Sequence, residues 1–146
     1  MNVIPKEDYK KIIDVLPILC VDIAAQNSRG EYLLVKRANP PKKDHWWVIG
    51  GRLFKGETLA GAAARKLKEE VGVVASELTP IGYMELPVDD NPFGGPVSYH
   101  AVSVVFRATI DDSEPVKLDS QSSDWKWAAE LPDDFPLTPF DGANVE

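Results

Sequence analysis

The chain has 146 residues, 44% of them hydrophobic, and a formal net charge of -7. That is one domain over residues 1–146 with enough apolar material for a core, and an acidic balance that argues against a non-specific nucleic-acid binder. Cys20 is the single cysteine, which excludes an intrachain disulfide; its apolar surroundings suggest a buried thiol in a reducing, cytoplasmic setting.

Pro5 to Val15 reads as a short N-terminal helix with Pro5 in its first turn and Tyr9, Ile12 and Ile13 on one side. Ile18 to Ala25 reads as a strand. The wider apolar stretch from Leu16 to Ala25 is interrupted by Asp22 and is too short to span a bilayer, so no membrane partner is expected. Asn27-Ser28-Arg29-Gly30 supplies turn chemistry, and Glu31 to Arg37 resumes an extended run, so the two strands form a hairpin. Ala38 to Asp44, with two prolines, is a loop. Trp46, Trp47 and Val48 form a short strand that leads into a Gly50-Gly51 turn.

Thr58 can cap the next helix through its hydroxyl, and Leu59, Ala62, Ala63, Leu67 and Val71 recur at three- and four-residue steps as a buried stripe. Gly72 ends that helix. Ile81 to Leu86 and Ser98 to Ala108 follow as strands, separated by a loop from Asp89 to Pro96, and Trp125 to Ala128 gives another strand. The tail from Leu131 to Glu146 has three prolines and no clear helical stripe. This order describes an α/β protein built on a mixed sheet.

The stretch from Gly51 to Val73 carries the chemistry. A glycine loop feeds an acidic helix, and such loops bring backbone groups close to phosphates, while adjacent carboxylates suit hard cations such as Mg²⁺. Glu69 and Glu70 are about 100° apart around a helix, so both can point into one cleft. Arg65 stands four residues before Glu69, and Lys66 four before Glu70. By themselves these charges would read as a solvated helix face with ordinary ion pairs; the preceding glycines and the spacing favour a site.

Gly51, Glu57, Arg65, Leu67, Glu69, Glu70, Gly72 and Val73 match the signature G-x5-E-x7-R-E-U-x-E-E-x-G-U, and on them the chain resembles the Nudix hydrolases. Lys66 stands where that pattern asks for glutamate, and Ile49 where a proline usually precedes the paired glycines. The resemblance implies an α/β/α sandwich, a divalent cation (Mg²⁺, with Mn²⁺ as a substitute) and a small nucleotide or nucleotide-sugar substrate. The second long helix common in that family is short or missing in the tail.

Asp22, the Asn27-to-Glu31 turn, Lys36-Arg37, Asn39, Pro41, Trp46, Val48 and Gly50-Gly51-Arg52 are similar to the GDP-mannose mannosyl hydrolase branch of that superfamily. Members of this branch attack the sugar carbon and release GDP and the free sugar. The resemblance implies that Arg52 stabilises the leaving diphosphate, that Asp22 and Arg37 contact substrate, and that Tyr9 stacks on the base. Metal would be held by Gly50, Glu69, Glu70 and Gln121. It also implies a homodimer. Without the family match, Asp22 reads equally as a core-edge residue, Arg37 as a strand-end charge and Tyr9 as packing for the short helix.

That branch has a glutamine followed by a general-base histidine before the last strand, where this chain has Gln121, Ser122 and Ser123. Serine at its ordinary pKa cannot accept the proton, so Glu69 acting through a metal-bound water becomes the candidate base. His45 reads as a surface or stacking residue, and His100, in phase with Val102, Val104 and Phe106, as a core-edge residue. Two further readings stand beside nucleotide-sugar cleavage. One is phosphorus attack on a nucleoside di- or triphosphate derivative, favoured by the Glu69-Glu70 pair. The other is a non-catalytic nucleotide sensor, favoured by Lys66, whose ammonium can occupy the space of a metal. Glu57 and Arg65 brace the loop against the helix.

Overall fold

The computed structural model describes residues 3–40, 42–88 and 98–142. Among these described residues, two helices flank one mixed sheet of eight strands. In chain order these are α1 (Lys6–Val15), β1 (Ile18–Gln26), β2 (Tyr32–Arg37), β3 (Trp46–Trp47), β4 (Ile49–Arg52), α2 (Leu59–Val71), β5 (Ala75–Val88), β6 (Tyr99–Ile110), β7 (Ser122–Ala128) and β8 (Thr138–Pro139). The sheet runs β3-β2-β1-β6-β5-β8, with β4 also pairing β1 and β7 also pairing β2.

β1 lies at the centre because both of its faces are covered, and its residues from Cys20 to Ala25 are all buried. It runs parallel to β6, with Asp22 opposite Val105, and antiparallel to β4, with Asp22 opposite Gly50. The alternation of a strand then separates two cores. Val21, Ile23 and Ala25 pack with Ala62, Ala63, Leu67 and Val71 of α2. On the opposite face, Ile18 and Cys20 pack with Ile13 of α1, and Leu34, Met84 and Val105 pack beneath Leu131, Phe135 and Leu137. The second layer of the sandwich is therefore α1 plus an irregular segment; among the described residues of the tail there is no second long helix.

α2 forms where the apolar spacing places it. The Thr58 hydroxyl accepts from the Gly61 amide at 3.0 Å, and Gly72 closes the helix in the left-handed region at φ 72°, a conformation that favours glycine. Pro5 caps α1 instead of entering its first turn.

The paired glycines differ from expectation. Gly50 and Gly51 lie inside β4, against β1, and the reversal comes later, at Lys55 and Gly56 with φ 90° at the glycine. The reason is space: a Cβ on Gly50 would run into Asp22 Oδ1 and lie 2.7 Å from the Val21 carbonyl oxygen. The residue must be glycine for β4 to approach β1 at the buried carboxyl. β5 and β6 are longer than the local pattern predicts, because they pair with each other from Ala75 opposite Ile110 to Val88 opposite Tyr99. The expected loop from Asp89 to Pro96 lies outside the described residues.

Candidate active site

A cavity of about 290 Å³ opens beside β1 and β4 at the C-terminal half of α2. Asp22 from β1, Arg37 from the end of β2, Gly50 and Gly51 from β4, Glu70 from α2 and Gln121 before β7 all line it. Five of the expected site residues, Asp22, Arg37, Gly50, Glu70 and Gln121, thus meet around one space. They come from five elements, and no sequence window shorter than a hundred residues contains them.

Glu69 is not among the cavity's lining residues. The expectation that both glutamates point into one cleft fails because Arg65 draws Glu69 away: Arg65 Nη1 donates to Glu69 Oε2 at 3.2 Å, and the glutamate side chain is 48% exposed. Glu70 is the opposite case. It is 4% exposed, and its Oε1 lies 2.8 Å from Nζ of Lys66, itself 5% exposed. Lys66 Nζ is also 3.8 Å from Glu69 Oε2. Burial pushes the Glu70 carboxyl above its ordinary range, and the attraction of Lys66 offsets only part of that rise.

Asp22 is the second carboxyl in the cavity wall. Burial pushes it up to about 7, against hydrogen bonds from Ser103 and Trp47 and the charge of Arg37, which favour the ionised form. Ser103 and Trp47 escaped the sequence reading. Ser103 is the fully buried polar residue in an apolar strand, and that oddity was the signal that it has a partner.

Arg52 and Tyr9 form a separate group beside the cavity and do not line it. The Arg52 guanidinium stacks over the Phe54 ring at 4.7 Å and lies 5.8 Å from the Tyr9 ring. Tyr9 shares a hydrogen bond with Tyr99, which lines the cavity and lies 3.8 Å from Cys20 Sγ. Arg65 braces the β4–α2 connection as expected. It donates to both oxygens of Glu57 at 2.7 and 2.9 Å and to the Arg52 carbonyl at 3.0 Å, and it stacks over Phe54 at 3.7 Å. Glu57 in turn accepts from the Phe54 amide at 2.8 Å.

The histidines stay outside the cavity. His45 Nε2 lies 3.0 Å from Asp134 Oδ2, and its ring sits 5.5 Å from that of Trp47. His100 does not take the core-edge role expected of it: it is exposed as the second residue of β6, beside the chain that leaves the end of α1.

Cys20 also lines the cavity, and burial pushes its thiol up to about 12. The neutral thiol is a poor nucleophile. Alkylation by iodoacetamide near about pH 8 is expected to be far slower in the folded protein than in denaturant, and to accelerate as pH rises toward the raised value. Equal rates in both states, followed by mass spectrometry, would contradict this placement.

Residues 17–140 match the family model for the NUDIX domain. The chain belongs to the Nudix hydrolase family. It is 33% identical over 123 residues to the low-salt glycan biosynthesis protein Agl8 of Haloferax volcanii, covering 84% of this chain and 78% of that one. It is 33% identical over 114 residues to an ADP-ribose pyrophosphatase of Methanocaldococcus jannaschii, covering 77% of this chain and 63% of the relative. A MutT Nudix hydrolase of Burkholderia pseudomallei shares the fold with a TM-score of 0.66 at 24% identity, over 84% of this chain and 91% of the other. As a Nudix hydrolase, the protein acts on nucleoside diphosphate derivatives.

Nudix hydrolases use divalent metals, and the donors here fit one in a reduced form. Among the described residues, no three of His, Cys, Asp and Glu gather as a ligand cluster, and of the two glutamates expected to hold a cation only Glu70 lines the cavity. Lining the cavity are the buried carboxyls of Glu70 and Asp22, with Gly50 and Gln121 as sources of neutral oxygen. Oxygen donors of this kind suit Mg²⁺, which keeps several of its own waters.

Proposed function

We propose that this Nudix hydrolase cleaves a nucleotide sugar of the GDP-mannose or GDP-glucose type at the sugar carbon, releasing the nucleoside diphosphate and the free sugar. One observation carries the reading: Asp22, Arg37, Gly50 and Gln121, four positions matched to the mannosyl hydrolase branch, surround a single cavity together with Glu70 of the Nudix signature. The similarity to Agl8, named as a low-salt glycan biosynthesis protein, supports a sugar-bearing substrate. The reading carries with it a cytoplasmic homodimer using Mg²⁺, with Mn²⁺ as a substitute.

In this account Arg37, whose guanidinium suits phosphate geometry, holds the diphosphate as it takes up the electron pair of the breaking bond. Glu70, Gly50 and Gln121 would hold the cation, which when bound offsets charge on the diphosphate oxygens. Arg52 adds positive charge from the rim, and Tyr9 orients it. A water oxygen bonds to the sugar carbon, the bond from that carbon to the diphosphate oxygen breaks, and the proton passes to a carboxylate. Glu69 is turned toward Arg65, and Glu70 is engaged by Lys66. Asp22 is the cavity carboxyl left for that proton, in place of the histidine that the branch uses.

Phosphorus attack is the second reading, favoured by the relative named as an ADP-ribose pyrophosphatase. Hydrolysis in ¹⁸O water separates the two. Label in the released sugar is the expected result, and label in phosphate would move the protein to the pyrophosphohydrolases.

A further inference from the structure

The Lys66–Glu70 pair changes what the cavity asks of a ligand. Lys66 occupies the position where the Nudix signature has a glutamate, and it is locked there. Its stem runs beneath β4, so that a Cβ on Gly51 would lie 2.6 Å from Lys66 Cε and 3.0 Å from Nζ. From that position the ammonium meets Glu70 Oε1 at 2.8 Å. A glutamate there would place a second buried negative charge beside Glu70, and a diphosphate could enter only with a cation to screen both. With lysine, the charge of Glu70 is already cancelled inside the protein. Asp22, the other carboxyl in the wall, is hydrogen-bonded by Ser103 and Trp47, while Arg37 adds positive charge to the cavity lining and Lys42 lines it as the partner of Asp134, 3.6 Å away.

We propose that Lys66 is a built-in counter-charge that lets this cavity bind a nucleoside diphosphate without a divalent cation, the metal being required for bond cleavage and not for binding. Lys66 acts through Glu70 and is a positioning residue. The inference rests on the nucleotide reading above and goes further, because it separates binding from metal.

Binding of GDP, ADP, UDP and dTDP, followed by titration calorimetry in excess chelator and again in saturating Mg²⁺, tests it. For the wild-type protein, the dissociation constant of the preferred diphosphate should agree between the two conditions within about threefold. Lys66→Glu should weaken binding in chelator at least ~10-fold and restore it with Mg²⁺, because an attractive charge beside the ligand becomes a repulsive one. Lys66→Met keeps the bulk of the stem and guards against misfolding of the glutamate variant; it should also lose affinity in chelator and regain it with Mg²⁺. A titration with Mn²⁺ alone, read by its paramagnetic signal, should give tighter binding in Lys66→Glu than in wild type. Wild-type binding that vanishes in chelator and returns with Mg²⁺ would overturn the inference while leaving the nucleotide reading intact. Failure to bind any of the four diphosphates in either condition would overturn both.

Discussion

Glu70→Gln is expected to lower turnover of a nucleotide sugar by at least ~100-fold, the loss that follows when a group offsetting transition-state charge is removed from a buried site. Glu70 is the one glutamate of the signature pair that reaches the cavity, and its oxygens are shared between Lys66 and the ligand space. The glutamine keeps a carbonyl oxygen for Lys66, so the fold should survive, as circular dichroism would confirm. Glu69→Gln is expected to change turnover only a few-fold, since its exposed carboxylate faces Arg65. Equal losses in the two variants would return Glu69 to the site and contradict its placement on the flank.

The largest stability effect is expected at Arg65. Its guanidinium ties Glu57, Glu69 and the Arg52 carbonyl together and covers Phe54. Arg65→Ala should cost about 2–3 kcal/mol, between the value of an exposed pair and that of a buried one, because the group is only partly shielded from solvent. Arg65→Lys should recover only part of this loss, since an ammonium cannot reproduce the fork to Glu57 or the stack on Phe54. Urea denaturation of the two variants measures both values. A change in Arg65→Ala below about 0.5 kcal/mol would mean that the network is a surface arrangement of no consequence.

Where the physics is local, the sequence was sufficient. The capping hydroxyl of Thr58, the apolar steps from Leu59 to Val71 and the left-handed Gly72 are all settled within one helix, and α2 forms there. Gly50-Gly51 shows the limit. Read locally, two glycines signal a turn; in the fold they are strand residues whose missing side chains make room for Asp22 and Lys66, partners 28 and 15 positions away in the chain. The same limit hid the full length of β5 and the strand β8, which depend on long-range pairing, and the stack of Arg52 on Phe54 and Tyr9. Helical geometry alone left both glutamates free to face the cleft. The choice fell to Arg65, whose contacts with Glu57 fix the direction in which it can pull Glu69. Lys66 was visible as a departure from the signature, but its depth of burial was not.

The central claim, that a Nudix hydrolase with a neutralised Glu70 releases nucleoside diphosphate from a nucleotide sugar, is tested most directly by ³¹P NMR of the products. A panel of nucleotide sugars would be incubated with the protein in Mg²⁺ and in excess chelator. Nucleoside diphosphate with free sugar is expected in Mg²⁺, and no turnover in chelator. Nucleoside monophosphate with sugar phosphate, undiminished turnover in chelator, or no turnover of any member of the panel would contradict the claim.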